Sequence, residues 1–297
     1  MAGSEQGHAH GHGHFHEEDL DWEEMGPYLE RNAEVTTQWT DEAVTWLRDL
    51  MTGTPVRRVL DIGSGPGVTT GKLAAAFPDA EVVAVDGEPA LLERARDRAS
   101  RLGLGDRVRT HTADLSTDLA DAGTADLIWT SHVMHHLGDQ RAAVARLAAR
   151  LNPGGLLAVA EGGLPHRYLP RDLGFGRPGL EARLDALLED WFTDMRASLP
   201  GAVTEVDDWP DMLRTAALAD QATRTFLAEV LPPLNEPARS HIIHAFERAQ
   251  NILQTALTED DRQTLTRLLN EHDPQSLHHR QDLKLLTANT VHTARRR

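Results

Sequence analysis

The chain predicts a doubly wound α/β fold, with helices on both faces of a parallel sheet. Three observations carry this. Apolar runs at residues 59–62, 82–85, 127–130 and 156–160 lack period-2 alternation, as strands buried on both faces do. Helical periodicity fills the stretches between them, and that alternation builds α/β sheets. Finally, Val59-Leu60-Asp61-Ile62-Gly63-Ser64-Gly65-Pro66-Gly67 runs from an apolar strand through an acidic residue into a glycine loop, and a helical pattern follows. That order makes a nucleotide-type cofactor site, because glycine lets the backbone turn sharply and lets a ligand approach where a Cβ would clash.

Length and composition bound the function. At 297 residues the chain suits about two domains or one elaborated α/β domain. A net charge of −16 argues against nucleic acid or an anionic membrane as partner, and favours a small or cationic substrate. Cysteine is absent, which excludes disulfides, thiolate–zinc sites and cysteine nucleophiles. No apolar run approaches the roughly 18 residues of a membrane span, and the N-terminus has no secretory h-region. A soluble, cytoplasmic protein is expected, as monomer or homodimer.

Residues 1–16 form a polar tail, expected to be disordered, with His8, His10, His12, His14 and His16 at alternate positions. Extended, these would share one side and could chelate a transition metal, although no metal is expected at the functional site. Residues 17–54 read as a helical N-terminal cover, with Trp39, Ala43, Trp46, Leu47 and Leu50 on one face and Thr40-Asp41 as a cap.

Residues 55–163 form the cofactor-binding core. A further, more polar strand at 108–112 suits an edge, Pro89 opens a helix, and Asn152-Pro153-Gly154-Gly155 closes another. Residues 164–179 carry three prolines and three glycines and read as a long loop. A helix follows at 180–199, so that 164–221 is a loop and helical insertion over the substrate. Residues 222–297 hold two last strands, at 222–230 and 283–293, with helices between them.

Four motifs in this order resemble the class I S-adenosylmethionine-dependent methyltransferases of small-molecule type, common in actinobacterial metabolism. The resemblance covers residues 56–163 well and the last two strands loosely. It implies a Rossmann-like seven-stranded sheet and S-adenosylmethionine as cofactor. In the first motif Asp61, Gly63, Ser64, Gly65 and Gly67 would wrap the amino-acid end of the cofactor. A carboxylate is favourable beside a ligand that carries an ammonium and a sulfonium. In the second, Asp86 would accept from the ribose diol, with Gly87 beside it. In the third, Ala113, Asp114 and Leu115 would meet the adenine. The fourth runs Asp126-Leu127-Ile128-Trp129-Thr130-Ser131-His132-Val133-Met134-His135-His136-Leu137 and ends at the carboxyl edge of the sheet.

Ser131 of that motif would touch the cofactor. His132, His135 and His136 are candidate bases, since imidazole accepts protons near neutral pH. Glu161 ends the next strand, and would bind substrate or pair with Arg167 or Arg171. Trp22, Tyr28, Trp39 and Tyr168, with Phe175, are the aromatics expected over the pocket. No acidic residue stands at 130–131 for magnesium, and no Asn/Asp-Pro-Pro-Tyr follows the fourth strand. Both absences favour a small organic acceptor, and the resemblance implies its methylation on oxygen or nitrogen in secondary metabolism. Alternatives are an NAD(P)-dependent oxidoreductase, disfavoured by the G-x-G-x-G spacing and the lack of Tyr-x-x-x-Lys, and a non-catalytic cofactor- or metal-binding module.

Overall fold

The computed structural model describes residues 22–297 apart from Asp118, with the backbone alone for Trp22, Glu23 and Glu24. The His-rich segment, and with it the chelate reading, lies outside the described residues.

Two helices, α1 (Trp22–Val35) and α2 (Thr37–Leu50), precede the core. The core then alternates as expected: β1 (Arg58–Ile62), α3 (Val68–Ala76), β2 (Glu81–Asp86), α4 (Pro89–Arg101), β3 (Val108–Thr112), β4 (Ala125–Ser131), α5 (Gln140–Ala149) and β5 (Leu151–Arg167). After it come α6 (Leu180–Ser198), α7 (Trp209–Thr215), β6 (Ala219–Val230), α8 (Glu236–Ile252), α9 (Glu259–Leu269) and β7 (Leu285–Arg295).

One seven-stranded sheet has the order β3-β2-β1-β4-β5-β7-β6. Strands β1 to β5 pair in parallel, and β7 runs antiparallel between β5 and β6. The polar strand β3 is indeed an edge. Consecutive core residues face opposite sides: Val59, Leu127 and Leu156 pack under α2 and α3, while Leu60, Ile128 and Leu157 pack under α5 and α7. Burial on both faces explains the missing alternation, each such side chain contributing about 1.5–3 kcal/mol. A separate apolar cluster joins α6, α8 and α9 through Leu180, Leu184, Ile242, Phe246 and Leu265, so the C-terminal cover has a core of its own.

Two expectations need correcting, and one helix was not foreseen. Residues 164–167 continue β5 against Leu286 and Ala288 of β7, so the loop begins only at Tyr168. Gly162, Gly163 and Pro165 fall where the register of that strand pair shifts. Thr40 is not a cap but a buried residue within α2, its hydroxyl donating to Thr37 O at 2.8 Å, and Thr36 stands at the helix start. The short helix α7 carries no long periodic signal. It forms because Asp208 accepts from Asp211 N at 2.9 Å, with Pro210 in the first turn and Trp209, Met212 and Leu213 buried.

Strand order reverses between β1 and β4. In an open α/β sheet that reversal leaves a crevice at the carboxyl ends of the strands, here between the glycine loop and residues 131–136.

Candidate active site

The three loop glycines serve three different ends. Gly63 has φ 67°, and a Cβ there would stand 2.1 Å from Val133 Cγ2, so it lets the loop pack on the segment after β4. Gly67, at φ 77°, starts α3, and its Cβ would meet Ala95 of α4 at 2.6 Å. Gly65, at φ 52°, would meet nothing within 4 Å. In the loop after β1, that bareness leaves room for a ligand to approach.

Two carboxylates fix this loop. Asp86, at the end of β2, accepts from Gly65 N at 2.8 Å and from Glu88 N at 3.0 Å, and burial pushes its carboxyl up. Asp61 is 2% exposed and accepts from Thr70 Oγ1 at 2.6 Å. Burial pushes it up to about 7, with the nearby Asp86 charge acting in the same direction and the Thr70 bond opposing. Ser64 Oγ is buried with no hydrogen-bond partner. Two acidic groups whose ionised forms await a cation, an unsatisfied hydroxyl and a bare glycine fit a cationic adenosyl amino acid.

Ala113 follows β3 and donates its N–H to Asp86 O at 3.0 Å, so the expected adenine side adjoins the ribose side. Gly87 is exposed beside Ala113 O. Asp114 is exposed, and its Oδ1 takes both Ser116 N at 2.8 Å and Ser116 Oγ at 2.6 Å, which hold the carboxyl below its usual range. Leu115 packs on the core.

Across the crevice, Ser131 ends β4 opposite Ala160 of β5. His132 follows at φ 55°, in a region that non-glycine residues seldom adopt, and donates its N–H to Ala160 O at 3.1 Å. Its ring is solvent-accessible yet surrounded by protein, as a group lining a recess is, and burial lowers its pKa. Glu161, 4% exposed, organises this segment. Its Oε1 accepts from Val133 N at 2.9 Å and Met134 N at 2.7 Å, and its Oε2 lies 3.0 Å from His135 Nδ1.

Burial alone would raise the Glu161 carboxyl, but His135, His132 and the Met134 N–H outweigh it and hold the group below the usual glutamate value. An ionised Glu161 accepts only, so Nδ1 of His135 is the donor of this pair. The three histidines come together, with ring centroids 6.5 Å apart for His132–His135 and 4.3 Å for His135–His136. His136 is lowered to about 4, first by burial and then by His135. Arg196 of α6 donates to His135 O and Leu137 O, both at 2.7 Å, and pins the segment from the far side.

The Glu161 partners differ from those expected. Arg167 pairs with Asp185 at 2.6 Å, while Glu161 serves the 133–135 segment. Trp39 is core, 5% exposed, with its ring edge-on to His132 at 6.0 Å, because α2 packs under the sheet. Phe175 lies under the Arg267 guanidinium at 4.2 Å and packs against the C-terminal apolar cluster. The Trp22 side chain lies outside what is described.

Tyr28 and Tyr168 do meet, around His241 of α8. Tyr168 OH is 3.2 Å from His241 Nε2, while the Tyr28 ring stacks on His241 at 6.0 Å and lies 4.4 Å from His244. His166, at the end of β5, stands 5.5 Å from Tyr168 and 6.1 Å from His241. Burial lowers both His166 and His241 to about 4, so both are neutral at pH 7. Sequence reading missed His166, His241, His244 and Arg248. The available signal was a polar stripe, His241-His244-Arg248, on a helix whose other face is Ile242, Phe246 and Ala249.

A family model described as a methyltransferase domain matches residues 60–157. Trans-aconitate 2-methyltransferase of Methylobacterium radiotolerans is 33% identical over 247 residues, which cover 73% of this chain and 88% of that enzyme. The 27-O-demethylrifamycin SV methyltransferase of Amycolatopsis mediterranei is 34% identical over 125 residues, 41% of this chain and 46% of the relative. A solved structure from Bacillus halodurans C-125, classed provisionally as a methyltransferase, aligns at a TM-score of 0.50 and 16% identity over 85% of this chain and 97% of that one, a likeness of fold alone.

Proposed function

The chain belongs to the class I S-adenosylmethionine-dependent methyltransferases, and we propose that it methylates an oxygen of a small organic acceptor held over residues 131–136. Membership leaves the oxidoreductase and non-catalytic alternatives without support. A place in secondary metabolism belongs to the same proposal, supported by the rifamycin-named relative. The trans-aconitate relatives likewise support a small oxygen-bearing acceptor.

The observation that carries the reading is the Glu161–His135 pair at the carboxyl edge of β4, across the crevice from the glycine loop. S-adenosylmethionine supplies an electrophilic methyl group on a sulfonium. Asp61, Ser64 and Gly65 would hold its amino-acid end, Asp86 and Gly87 its ribose, and Ala113, Asp114 and Leu115 its adenine. Ser131 and His132 would face the reacting end. His135, oriented through Nδ1 by Glu161, takes a hydroxyl proton at Nε2, and Glu161 stabilises the imidazolium that results. Such a transfer needs alignment above all, so Arg196 and Glu161 act by holding the segment still.

His135→Ala should lower turnover by roughly a hundredfold or more while S-adenosylhomocysteine affinity is unchanged. Mass-spectrometric detection of methyl transfer across hydroxy acids, alcohols, phenols and amines is the test. Transfer to amines alone, or to none of these, would overturn the reading.

A further inference from the structure

One wall of the recess is cationic, which the chain's average charge conceals. Net charge is −16, yet α1 and α8 meet through Tyr28, His241 and His244 and place two guanidinium groups beside them. Arg248 is exposed and makes no ion pair among the described residues, and it lies near enough to Tyr28 and His136 to act on both electrostatically. Arg31 acts in the same way on Tyr28 and His241.

The same wall holds unsatisfied polar atoms. Arg31 Nε, His166 Nε2 and His241 Nδ1 are all buried without a hydrogen-bond partner, and His241 is only 2% exposed. Buried polar groups are normally satisfied, so three together mark a place where a polar ligand group belongs. Among the described residues, the carboxylates nearby are committed. Glu30 and Glu34 of α1 bind Arg98 of α4, Glu247 faces His244 at 3.6 Å, and Glu161 serves the 133–135 segment. His166 ties the wall to the reacting end, since it lies on β5 beyond Glu161 and its ring stands 6.1 Å from His241.

We propose that this α1–α8 wall is an acceptor-anchoring site for a carboxylate: Arg248 and Arg31 supply the charge, Tyr28 and His241 supply neutral hydrogen bonds, and the acceptor is a small organic acid. The proposal rests on the methyltransferase reading above and names the substrate class of that same site. A guanidinium matches the planar carboxylate with two parallel donors, which an ammonium cannot do. Neutral histidines beside the arginines add donors without adding repulsion. The acceptor would enter against the chain's overall field and be held by local charge, because charges more than a Debye length away, about 8–10 Å, are screened.

The test compares mandelate and salicylate with mandelamide and salicylamide, by calorimetry on the S-adenosylhomocysteine-loaded protein and by turnover with S-adenosylmethionine. The acids are expected to bind and to be methylated in preference to the amides. Arg248→Gln should raise KM for the acids roughly ten- to a hundredfold, leaving S-adenosylhomocysteine affinity unchanged and kcat within a few-fold. Arg248→Lys should recover part of the loss. Because Arg248 is exposed, the variant is expected to fold, which its melting temperature checks. Equal binding of acids and amides, or an unchanged KM in Arg248→Gln, overturns the anion site. Methylation of the neutral compounds alone sinks the anion site while leaving the methyltransferase reading intact, whereas transfer to neither set counts against both.

Discussion

The proposed cofactor side and the proposed acceptor side of the crevice are built in different ways. The cofactor side uses backbone: Gly63, Gly65, Gly67 and the ends of β1 and β2, with Asp86 reaching 21 residues back to hold Gly65 N. The acceptor side uses side chains from distant parts of the chain, such as the Tyr168–His241 bond across 73 residues and the His135–Glu161 pair across 26. A backbone cradle serves one ligand whatever the acceptor, and its requirements reduce to glycine and aspartate at set spacing. A side-chain wall can be rebuilt one residue at a time, so the acceptor can change while the cofactor does not.

Substitutions in the cradle test that contrast most strongly. Gly63→Ala puts a Cβ against Val133 at a positive φ, and should cost about 2–4 kcal/mol of stability, read as a lower midpoint in urea. Gly65→Ala meets open space and should cost only about 1 kcal/mol, while still weakening S-adenosylhomocysteine binding. Equal destabilisation by the two would show that the loop glycines do not divide into a packing role and a ligand role.

Asp86→Ala should weaken S-adenosylhomocysteine by about 1–3 kcal/mol, as expected for a lost charge-assisted acceptor. Turnover at saturating cofactor should change less. If affinity is unchanged by calorimetry, the ribose lies elsewhere and the cradle is only a turn.

The smallest expected effect is the dependence of binding on pH. Asp61 stands at about 7 in the fold against 3.8 as an unperturbed carboxyl. The folded protein therefore holds a proton there that the unfolded chain has released. The stability this contributes is fully present below 3.8 and is lost as pH rises through about 7. A bound ammonium favours the ionised carboxylate, so cofactor affinity should rise with pH, by roughly tenfold between pH 6 and pH 8, and then level off. Calorimetry in two buffers of different ionisation enthalpy should register proton release at pH 6.5. Affinity flat across this range would show that the ligand's cation does not meet Asp61.

Much of the parallel core was legible because its signals are local. Apolar runs, the Pro89 helix start and the glycine spacing each act within a few residues. Strand β3 could be read as an edge from its polarity alone. The extension of β5 could not, since residues 164–167 are strand only because β7 lies beside them. Asp61, Asp86 and the 131–136 segment could be named because each belongs to a local motif at the end of an apolar run. His166, His241 and Arg248 could not, because nothing short of the folded arrangement of α1, β5 and α8 brings them together. Trp39 misled in the opposite sense. An aromatic on a cover helix suits a pocket, yet it fills the space under β4 beside Trp129, 6.2 Å away.

A crystal structure with S-adenosylhomocysteine tests the division most directly. The ribose diol should lie against Asp86 and the amino-acid end within the Gly63–Gly67 loop, with the sulfur facing the recess between His132, Tyr28 and Arg248. A sulfur turned away from that recess, or a ligand seated outside the cradle, would contradict the account.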